Sequence, residues 1–242
     1  MPEGPSIVIL KEELQLFKGQ KVLEVSGNAK IDIQRMHGKK IRDLMSWGKH
    51  FLICFDDFYL RIHLLMFGTY RINEKRDFDP RLSLRFKKGE FNFYTCSIKL
   101  IEGKPEADYD WEVDTMSDSW NGKRALKVVK EREDEMICDV LLNQDVFAGV
   151  GNIIKNEALF IAKVHPETKV KDIPAKKLKE LVTVTRDYCF DFYKWKKEFV
   201  LKQHWLAYKK RDCPRCNIPF VRTYMGKGKR LTFYCGNCQV LH

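Results

Sequence analysis

Hydrophobic positions near the start of the chain follow a helical period. Ile7, Leu10, Leu14 and Phe17 recur at spacings of three or four, with polar residues between several of them, and Gly19 comes soon after the last. This spacing is typical of an amphipathic helix that ends at a glycine. The pattern predicts a single helix in the first twenty residues.

The period changes to two from Lys21 to about Glu102. Short runs rich in aromatic and β-branched residues alternate with turn formers, among them FLICF, TYRI, LSLRF and FNFYTCSIKLI. Several short strands in succession are typical of an antiparallel sandwich or barrel. We therefore predict an antiparallel β-sandwich that carries one helix and occupies residues 1–115.

Helical periodicity returns in the second half of the chain. The acidic stretch between Pro105 and Trp120 has no clear period and predicts a linker. The helical pattern then runs from about Lys123 to Val200, in segments such as RALKVVKEREDEMICDVLL and NIIKNEALFIA. We predict a helical domain over residues 123–204 and a separate segment over 205–242, which gives an α+β multidomain fold.

The charge balance favours a polyanionic partner. The 242 residues include 44 Lys and Arg against 33 Asp and Glu, a net charge of +11. Nucleic acid fits this charge better than a membrane surface does, because no basic amphipathic helix stands out. The chain also has no apolar run long enough to span a bilayer and no signal-peptide pattern at its start. We expect the protein inside the cell, in the cytoplasm or the bacterial nucleoid.

Four of the eight cysteines form two Cys-x-x-Cys pairs near the end of the chain. The pairs are Cys213 with Cys216 and Cys235 with Cys238, and eighteen residues separate them. Four thiolates at this spacing can converge on one structural zinc ion, whereas disulfides or a redox pair explain the pattern less well. We predict one structural Zn²⁺ and no organic cofactor. The other four cysteines are expected to be buried free thiols.

The segment from 205 to 242 is strongly basic, with eight Lys and Arg against Asp212 alone. Between the cysteine pairs, two strand-like pieces flank a Gly-Lys-Gly-Lys turn. Such a zinc-bound hairpin could enter a DNA groove or bind phosphates, or its charges could simply be solvated.

Three further motifs each allow a structural and a functional interpretation. Removal of Met1 would leave Pro2 with a free secondary amine, which is nucleophilic near neutral pH. Gly149 and Gly151 precede a predicted helix and could form a phosphate site or an ordinary turn. The third motif, Leu65-Met66-Phe67, is either a buried strand end or a set of side chains that enters a base stack.

These motifs, taken in order, resemble the formamidopyrimidine-DNA glycosylase and endonuclease VIII family. The resemblance rests on Pro2-Glu3-Gly4-Pro5, on Gly48-Lys49, on the Ala148–Asn152 turn, and on the four-cysteine finger that ends with Arg230–Cys235. It runs from the first residues to the last. It implies a β-sandwich, a helix-two-turn-helix domain and a C-terminal zinc-finger hairpin.

The resemblance also implies roles for particular residues in base-excision repair. Pro2 would attack C1′ of a damaged nucleoside and form an iminium ion, while Glu3 manages protons on the sugar. Lys49 and Arg230 are counted with these catalytic residues. Together with Asn152, they would bind phosphates around the lesion. The bulky trio at 65–67 would fill the gap left by the flipped nucleotide. The implied activity is that of a DNA glycosylase and abasic-site (AP) lyase that cleaves by β,δ-elimination.

Gly4 and the wholly apolar loop at 65–67 place the chain nearer to the endonuclease VIII branch. The short passage KQHWLAYKKRDCPRC leaves little room for the long loop that formamidopyrimidine enzymes close over 8-oxoguanine, so we favour oxidised pyrimidines as substrates. We expect a monomer that acts on double-stranded damaged DNA and has no membrane partner. Ser6 and the eighteen-residue gap in the finger depart from the usual family pattern.

Two other functions fit parts of the sequence. A damaged-DNA-binding protein without catalysis would keep the basic surfaces, the glycine turn and the finger. A tautomerase with an N-terminal proline would explain Pro2 but neither the cysteines nor the charge.

Overall fold

The computed structural model describes residues 2–242, and the chain divides into two compact units with the boundary between Asp110 and Trp111. The predicted removal of Met1 lies outside the described residues. No helix in the described part of the chain has the length and apolar character needed to cross a membrane.

The first unit is an antiparallel β-sandwich with one long helix. Helix α1 (Gly4–Glu13) and a 3-10 turn (Gln15–Phe17) come first, and a short helix α2 (Pro105–Asp108) comes last. Between them lie the strands β1 (Glu24–Ser26), β2 (Asp43–Trp47), β3 (His50–Cys54), β4 (Phe58–His63), β5 (Thr69–Ile72), β6 (Leu82–Phe86), β7 (Gly89–Tyr94) and β8 (Ser97–Glu102). They form two four-stranded sheets, ordered β1-β6-β7-β5 and β2-β3-β4-β8.

Alternating apolar residues of both sheets form the core of this unit. Phe51 and Ile53 of β3 and Phe91 and Phe93 of β7 are fully buried in one cluster, to which α1 contributes Ile7 and other side chains. Burial of each large apolar side chain contributes roughly 1.5–3 kcal/mol. The alternating pattern of the strands and the helical pattern of the first twenty residues are thus both explained by burial in one shared core.

The sequence pattern did not predict two of the strands. β1 is short and largely exposed, and β2 buries only Leu44 fully. Neither strand therefore shows the apolar alternation that marks a half-buried strand. Their place in the sheets comes from pairing with β6 and β3.

The second unit is built on helices and ends in a hairpin. Its elements are α3 (Gly122–Lys130), α4 (Ile137–Val140), α5 (Asn152–Ile161), α6 (Ala175–Lys197), β9 (Val221–Met225) and β10 (Arg230–Tyr234). Helix α5 contacts both α6 and β10. Nine consecutive residues of α5, from 152 to 160, are buried, so this helix lies at the centre of the unit.

The acidic stretch contains the boundary between the two units, as expected of a linker, but it is structured. It contains α2 and a 3-10 turn (Trp111–Val113), and Asp114 is buried. The backbone of residues 113–115 pairs with Ala148 through the bonds Ala148 N to Val113 O (2.9 Å) and Thr115 N to Ala148 O (3.2 Å). These long-range bonds give the stretch a fixed conformation that its composition does not predict.

The segment RALKVVKEREDEMICDVLL is two helices and not one continuous helix. Between α3 and α4 the backbone pairs with residues 168–171, through Lys171 N to Glu133 O (3.0 Å), Val170 N to Glu135 O (3.1 Å) and Ile137 N to Thr168 O (3.0 Å). Backbone groups engaged in these bonds cannot also form a continuous helical ladder. Tertiary pairing therefore overrides the helical pattern here.

Candidate functional site

Glu3 is a buried carboxylate at the beginning of α1. It occupies the N-cap position, is 0% exposed, and accepts a hydrogen bond at its carbonyl oxygen from the Ser6 amide at 2.8 Å. A negative charge is favoured at a helix N-terminus by the helix dipole. Pro2, next to it, is half-buried. The first two described residues thus combine a partly accessible proline with a sequestered acid.

Strand register brings two predicted motifs to the same end of one sheet. His50, the first residue of β3, pairs with His63, the last residue of β4. The Gly48–Lys49 turn precedes His50 and the apolar loop follows His63, so both motifs lie at that end. Gly48 has a φ of +51°, which glycine adopts without strain and which lets β2 and β3 join through a two-residue turn.

The two histidines at this end are kept neutral by their surroundings. Burial, reinforced by the positive charges of Arg61, Lys49 and Lys99, lowers the pKa of His50 to about 4. Burial and the charge of Lys49 also lower the pKa of His63. The Tyr109 hydroxyl lies 3.2 Å from His50 Nδ1. This end of the sheet therefore carries its positive charge on lysine and arginine.

The loop after β4 exposes three consecutive apolar side chains. Leu65, Met66 and Phe67 are 49%, 53% and 74% exposed, so the interpretation as a buried strand end is wrong. Gly68 closes the loop by donating its amide to Leu64 O at 2.7 Å. A Cβ on Gly68 would overlap that carbonyl, so only glycine fits. The loop holds its apolar side chains in solvent through a tight turn.

In the second unit, the predicted glycine turn precedes α5. Gly149 has a φ of +98°, and its amide donates to Gln144 Oε1 at 3.1 Å. Gln144 in turn donates from Nε2 to Val150 O at 3.1 Å. Gly151 is the N-cap of α5, and Asn152, its first residue, is only 4% exposed. The turn therefore presents the N-terminus of the central helix.

Polar side chains of α5 bind the hairpin strand β10. Asn152 donates from Nδ2 to Leu231 O at 2.8 Å, which places it beside the residue that follows Arg230. Lys155 donates from Nζ to Thr232 Oγ1 at 2.7 Å, and Asn156 Oδ1 accepts from the Phe233 amide at 2.8 Å. Two predicted phosphate-binding residues, Asn152 and Arg230, are thereby brought close together.

Sequence analysis missed the roles of Lys155 and Asn156. The signal was present, because NIIKNEALFI places four polar residues in an otherwise apolar helix that lies at the centre of its unit. Buried polar side chains need hydrogen-bond partners, so they mark a surface where another element must dock.

The next turn of α5 carries a buried carboxylate. Glu157 is 0% exposed and accepts three backbone hydrogen bonds, from Leu206 (2.8 Å), Ala207 (3.0 Å) and Tyr208 (2.7 Å). Burial raises the pKa of Glu157, and the three amides partly oppose that shift. This contact attaches the segment that leads into the cysteine pairs to the helical core.

The four clustered cysteines form a candidate metal centre. The sulfur atoms of Cys213, Cys216, Cys235 and Cys238 all lie within 4.8 Å of one another, and those of Cys213 and Cys238 are 3.8 Å apart. A tetrahedral zinc site with bonds of about 2.3 Å has edges of roughly 3.8 Å. The donor set and its spacing therefore fit zinc. The other four cysteines, Cys54, Cys96, Cys138 and Cys189, are buried free thiols.

The turn of the hairpin is docked on the helical part of its unit. The Lys227 amide donates to Asp139 Oδ1 at 2.9 Å, and its Nζ lies 2.7 Å from Glu135 Oε2. Gly226 has a φ of +73°, and a Cβ there would overlap the Asp139 carboxylate. One lysine of the predicted Gly-Lys-Gly-Lys turn is thus paired with an acidic side chain of its own unit.

Comparison with known proteins agrees with this architecture. Residues 1–97 match the formamidopyrimidine-DNA glycosylase N-terminal domain, and residues 113–189 match the formamidopyrimidine-DNA glycosylase H2TH domain. The chain is 35% identical over 201 residues to Endonuclease 8-like 3 of Mus musculus, an alignment that covers 79% of the chain and 33% of that protein. It is 26% identical to formamidopyrimidine-DNA glycosylase of Halalkalibacterium halodurans, covering 99% of the chain and 100% of that protein.

Solved structures agree with the fold. Lactococcus lactis formamidopyrimidine-DNA glycosylase, solved non-covalently bound to DNA that contains an AP site, superposes with a TM-score of 0.85 at 22% identity. The match covers 98% of this chain and 99% of that one. The fold is thus that of formamidopyrimidine-DNA glycosylases.

The two family domains together span well over half of the chain. The protein belongs to the formamidopyrimidine-DNA glycosylase and endonuclease VIII family. It spans about a third of the length of the Endonuclease 8-like 3 relatives that it matches.

Proposed function

We propose that the protein is a bifunctional DNA glycosylase and AP lyase of base-excision repair. The observation that carries this proposal is the sequestered Glu3 carboxylate next to a partly accessible Pro2, in a chain whose family is that of such enzymes. A buried acid next to a nucleophile is suited to proton transfer, because a general acid or base must lie within reach of the reacting atoms.

In the proposed reaction, the Pro2 amine, exposed by removal of Met1, attacks C1′ of the damaged nucleoside. The C1′–N bond breaks, and the base departs with its electron pair and a proton. Opening of the sugar ring then gives an iminium ion between Pro2 and C1′, with Glu3 as the group that manages protons on the ring oxygen. The iminium acidifies the C2′ proton, whose loss expels the 3′ phosphate by β-elimination, and a second elimination releases the 5′ phosphate.

Other residues hold the DNA in this proposal. Lys49, Asn152 and Arg230 bind phosphates near the lesion, and the backbone amides at the Gly149–Gly151 turn supply further donors at a helix N-terminus. Asn152, Arg230 and the glycine turn all lie in the second unit. The position of the turn ahead of α5 and the hydrogen bond from Asn152 to β10 support a shared phosphate-binding role for them. Leu65, Met66 and Phe67 fill the space of the flipped nucleotide, which their exposure supports.

The substrate class in this proposal is oxidised pyrimidines in double-stranded DNA, bound by a monomer inside the cell. Support comes from the passage between α6 and the cysteine pairs, where the amides of residues 206–208 bind Glu157. A segment bonded in this way is not available as a long loop that closes over 8-oxoguanine.

One structural zinc ion, held by Cys213, Cys216, Cys235 and Cys238, supports the hairpin that carries Arg230. The metal would supply folding free energy and take no part in the reaction. All four thiolates are needed for a closed tetrahedral shell, which leaves no position for substrate.

Borohydride trapping tests the catalytic proposal. Protein processed to Pro2 is incubated with a duplex that contains one abasic site, reduced, and examined for a covalent protein–DNA complex. We expect a complex with the unmodified protein and none with Pro2→Gly or with a form that retains Met1. Glu3→Gln should still form the complex but release far less free base from a thymine glycol duplex.

The non-catalytic alternative predicts a different result. Zinc-loaded, correctly processed protein would bind the abasic duplex yet give no trapped complex. That outcome would replace the enzyme proposal with a damaged-DNA-binding function.

A further inference from the structure

Helix α6 ends with a bulky residue where glycine is usual. Phe199 has a φ of +61°, its amide donates to Lys196 O at 3.2 Å, and the Val200 amide donates to Trp195 O at 2.9 Å. These two bonds define a Schellman cap, in which the left-handed position is commonly glycine because a Cβ is strained there. Phenylalanine at this position therefore costs folding free energy.

Packing does not offset that cost. The Phe199 side chain is 95% exposed, the highest exposure among the large apolar residues that the structure describes as exposed. A strained conformation without a packing gain is more typical of a functional position than of a structural one. The cap also sets the phenyl ring beyond the end of the helix.

The surroundings of Phe199 are cationic and aromatic. Residues 194–202 contain four exposed lysines and one glutamate: Lys194, Lys196, Lys197, Lys202 and Glu198. Close in sequence, the imidazole of His204 lies flat on the indole of Trp195, with ring centroids 4.2 Å apart and an interplanar angle of 1°. His204 is itself exposed, so one face of its ring is turned away from Trp195.

We propose that this surface, the Phe199 knob with its neighbouring lysines, binds single-stranded nucleic acid. An unpaired base stacks on the phenyl ring and the lysines contact the adjacent phosphates, the combination that single-strand-binding proteins use. A base within a duplex is already stacked on both faces, so the knob selects unpaired segments. This contact goes beyond the proposed catalytic function and does not require it.

The single exposed ring favours nucleic acid over a lipid surface as the occupant. A helix that lies in a membrane interface presents a continuous apolar face. Phe190, the other exposed phenylalanine of this region, lies nine positions earlier within α6, where the Arg186 guanidinium is 5.5 Å from its ring centroid. The surface therefore offers one aromatic contact among cations and no apolar face.

Fluorescence anisotropy with a short labelled oligothymidylate tests the proposal on the zinc-loaded full chain. We expect Phe199→Ala and Phe199→Gly to weaken binding at least about fivefold, the lower end of measured base–aromatic stacking effects. Phe199→Trp should retain the affinity, and Phe190→Ala is the matched control that should leave it unchanged. Phe199→Gly should also raise the Tm, which separates loss of a contact from loss of the fold.

Two outcomes would overturn the proposal. Wild-type affinity in Phe199→Ala would show that the lysines act by charge alone. If Phe199→Ala loses binding to phosphatidylserine vesicles while its binding to oligothymidylate is unchanged, the surface binds lipid. The proposed catalysis is judged separately, because Phe199→Ala should still form the trapped complex with an abasic duplex. If the wild-type protein binds oligothymidylate through Phe199 but is never trapped, only the catalytic function is refuted.

Discussion

The backbone amide of Tyr208 donates to the carboxylate of Glu157 at 2.7 Å, and the amides of the two preceding residues bond to the same group. This contact joins the central helix to the segment that enters the cysteine pairs. One side chain thus satisfies three consecutive backbone donors, of which the Ala207 amide belongs to a fully buried residue.

Replacing Glu157 should destabilise the protein strongly. Glu157→Ala removes the acceptor of the buried Ala207 amide and of two less buried amides, and one buried amide without a partner costs about 1–3 kcal/mol, so we expect at least that loss in the free energy of unfolding. Glu157→Gln keeps one oxygen acceptor and should lose less. Urea denaturation measures both variants, with the exposed Glu131→Gln as control. Equal stability of Glu157→Ala and the control would contradict this account of the contact.

The glycines of the hairpin turn should differ in their tolerance of alanine. Gly226→Ala introduces a Cβ against Asp139 at a φ of +73°, so we expect a destabilisation of about 1–3 kcal/mol. At Gly228 a Cβ would lie 3.5 Å from Arg230 Cγ, an ordinary contact, so Gly228→Ala is the matched control. Thermal unfolding of the pair checks this prediction, which is wrong if both variants melt together.

Acidification should destabilise the protein partly through His50. Its pKa is lowered from 6.5 to about 4, so the unfolded chain binds the proton more readily than the folded one between these values. The contribution is therefore fully present above pH 6.5 and is lost as the pH falls towards 4, by at most about 3 kcal/mol. The free energy of unfolding should fall less steeply over this interval in His50→Gln. Parallel pH profiles for the two proteins would refute the assignment.

Removal of zinc should unfold the finger. Structural zinc sites contribute apparent binding free energies of about 10–16 kcal/mol in finger peptides, so a chelator or Cys235→Ser should abolish local order. Near-ultraviolet circular dichroism of Trp205, Tyr208 and Tyr234 reports this change, and elemental analysis should give one zinc per chain. Cys54→Ala, which alters a thiol outside the cluster, should keep its zinc; a chain that folds fully without metal would disprove the site.

The exposed apolar loop should contribute to the affinity for DNA and not to the free energy of unfolding. Met66→Ala and Phe67→Ala should change the free energy of unfolding by less than about 0.5 kcal/mol, because both side chains lie in solvent. We expect them to weaken binding to an abasic duplex about tenfold, since nothing would fill the vacated stack. Leu64→Ala, at a buried position, should show the reverse pattern. Unchanged duplex affinity in Phe67→Ala and Met66→Ala would argue against the wedge.

Sequence reasoning succeeded where a local pattern has one physical solution. Short apolar runs marked the positions of six strands of the sandwich, with β7 and β8 inside one run, and the Cys-x-x-Cys spacing predicted the convergence of four sulfur atoms. It failed where distant backbone decides the outcome. The segment after α3 has a helical pattern but is not helical, because its backbone pairs with residues 168–171. Strand β1 belongs to its sheet only because it pairs with β6.

The candidate site shows the same division. Pro2, Lys49 and Asn152 could be named from motifs, because each stands in a recognisable local setting. The docking role of Lys155 and Asn156 depends on a strand 77 residues later, which no local pattern contains. The docked position of Lys227 likewise depends on an acidic pair far earlier in the chain.

The contacts between α5 and β10 also order the assembly of the protein in time. They join residues 77 to 79 positions apart, so the chain must close a long loop before any of them forms, whereas the two ends of the cysteine cluster are only 25 positions apart. Closing a shorter loop costs less entropy. We therefore expect the finger to gather around its metal as a local unit first and to dock on α5 in a later step of folding.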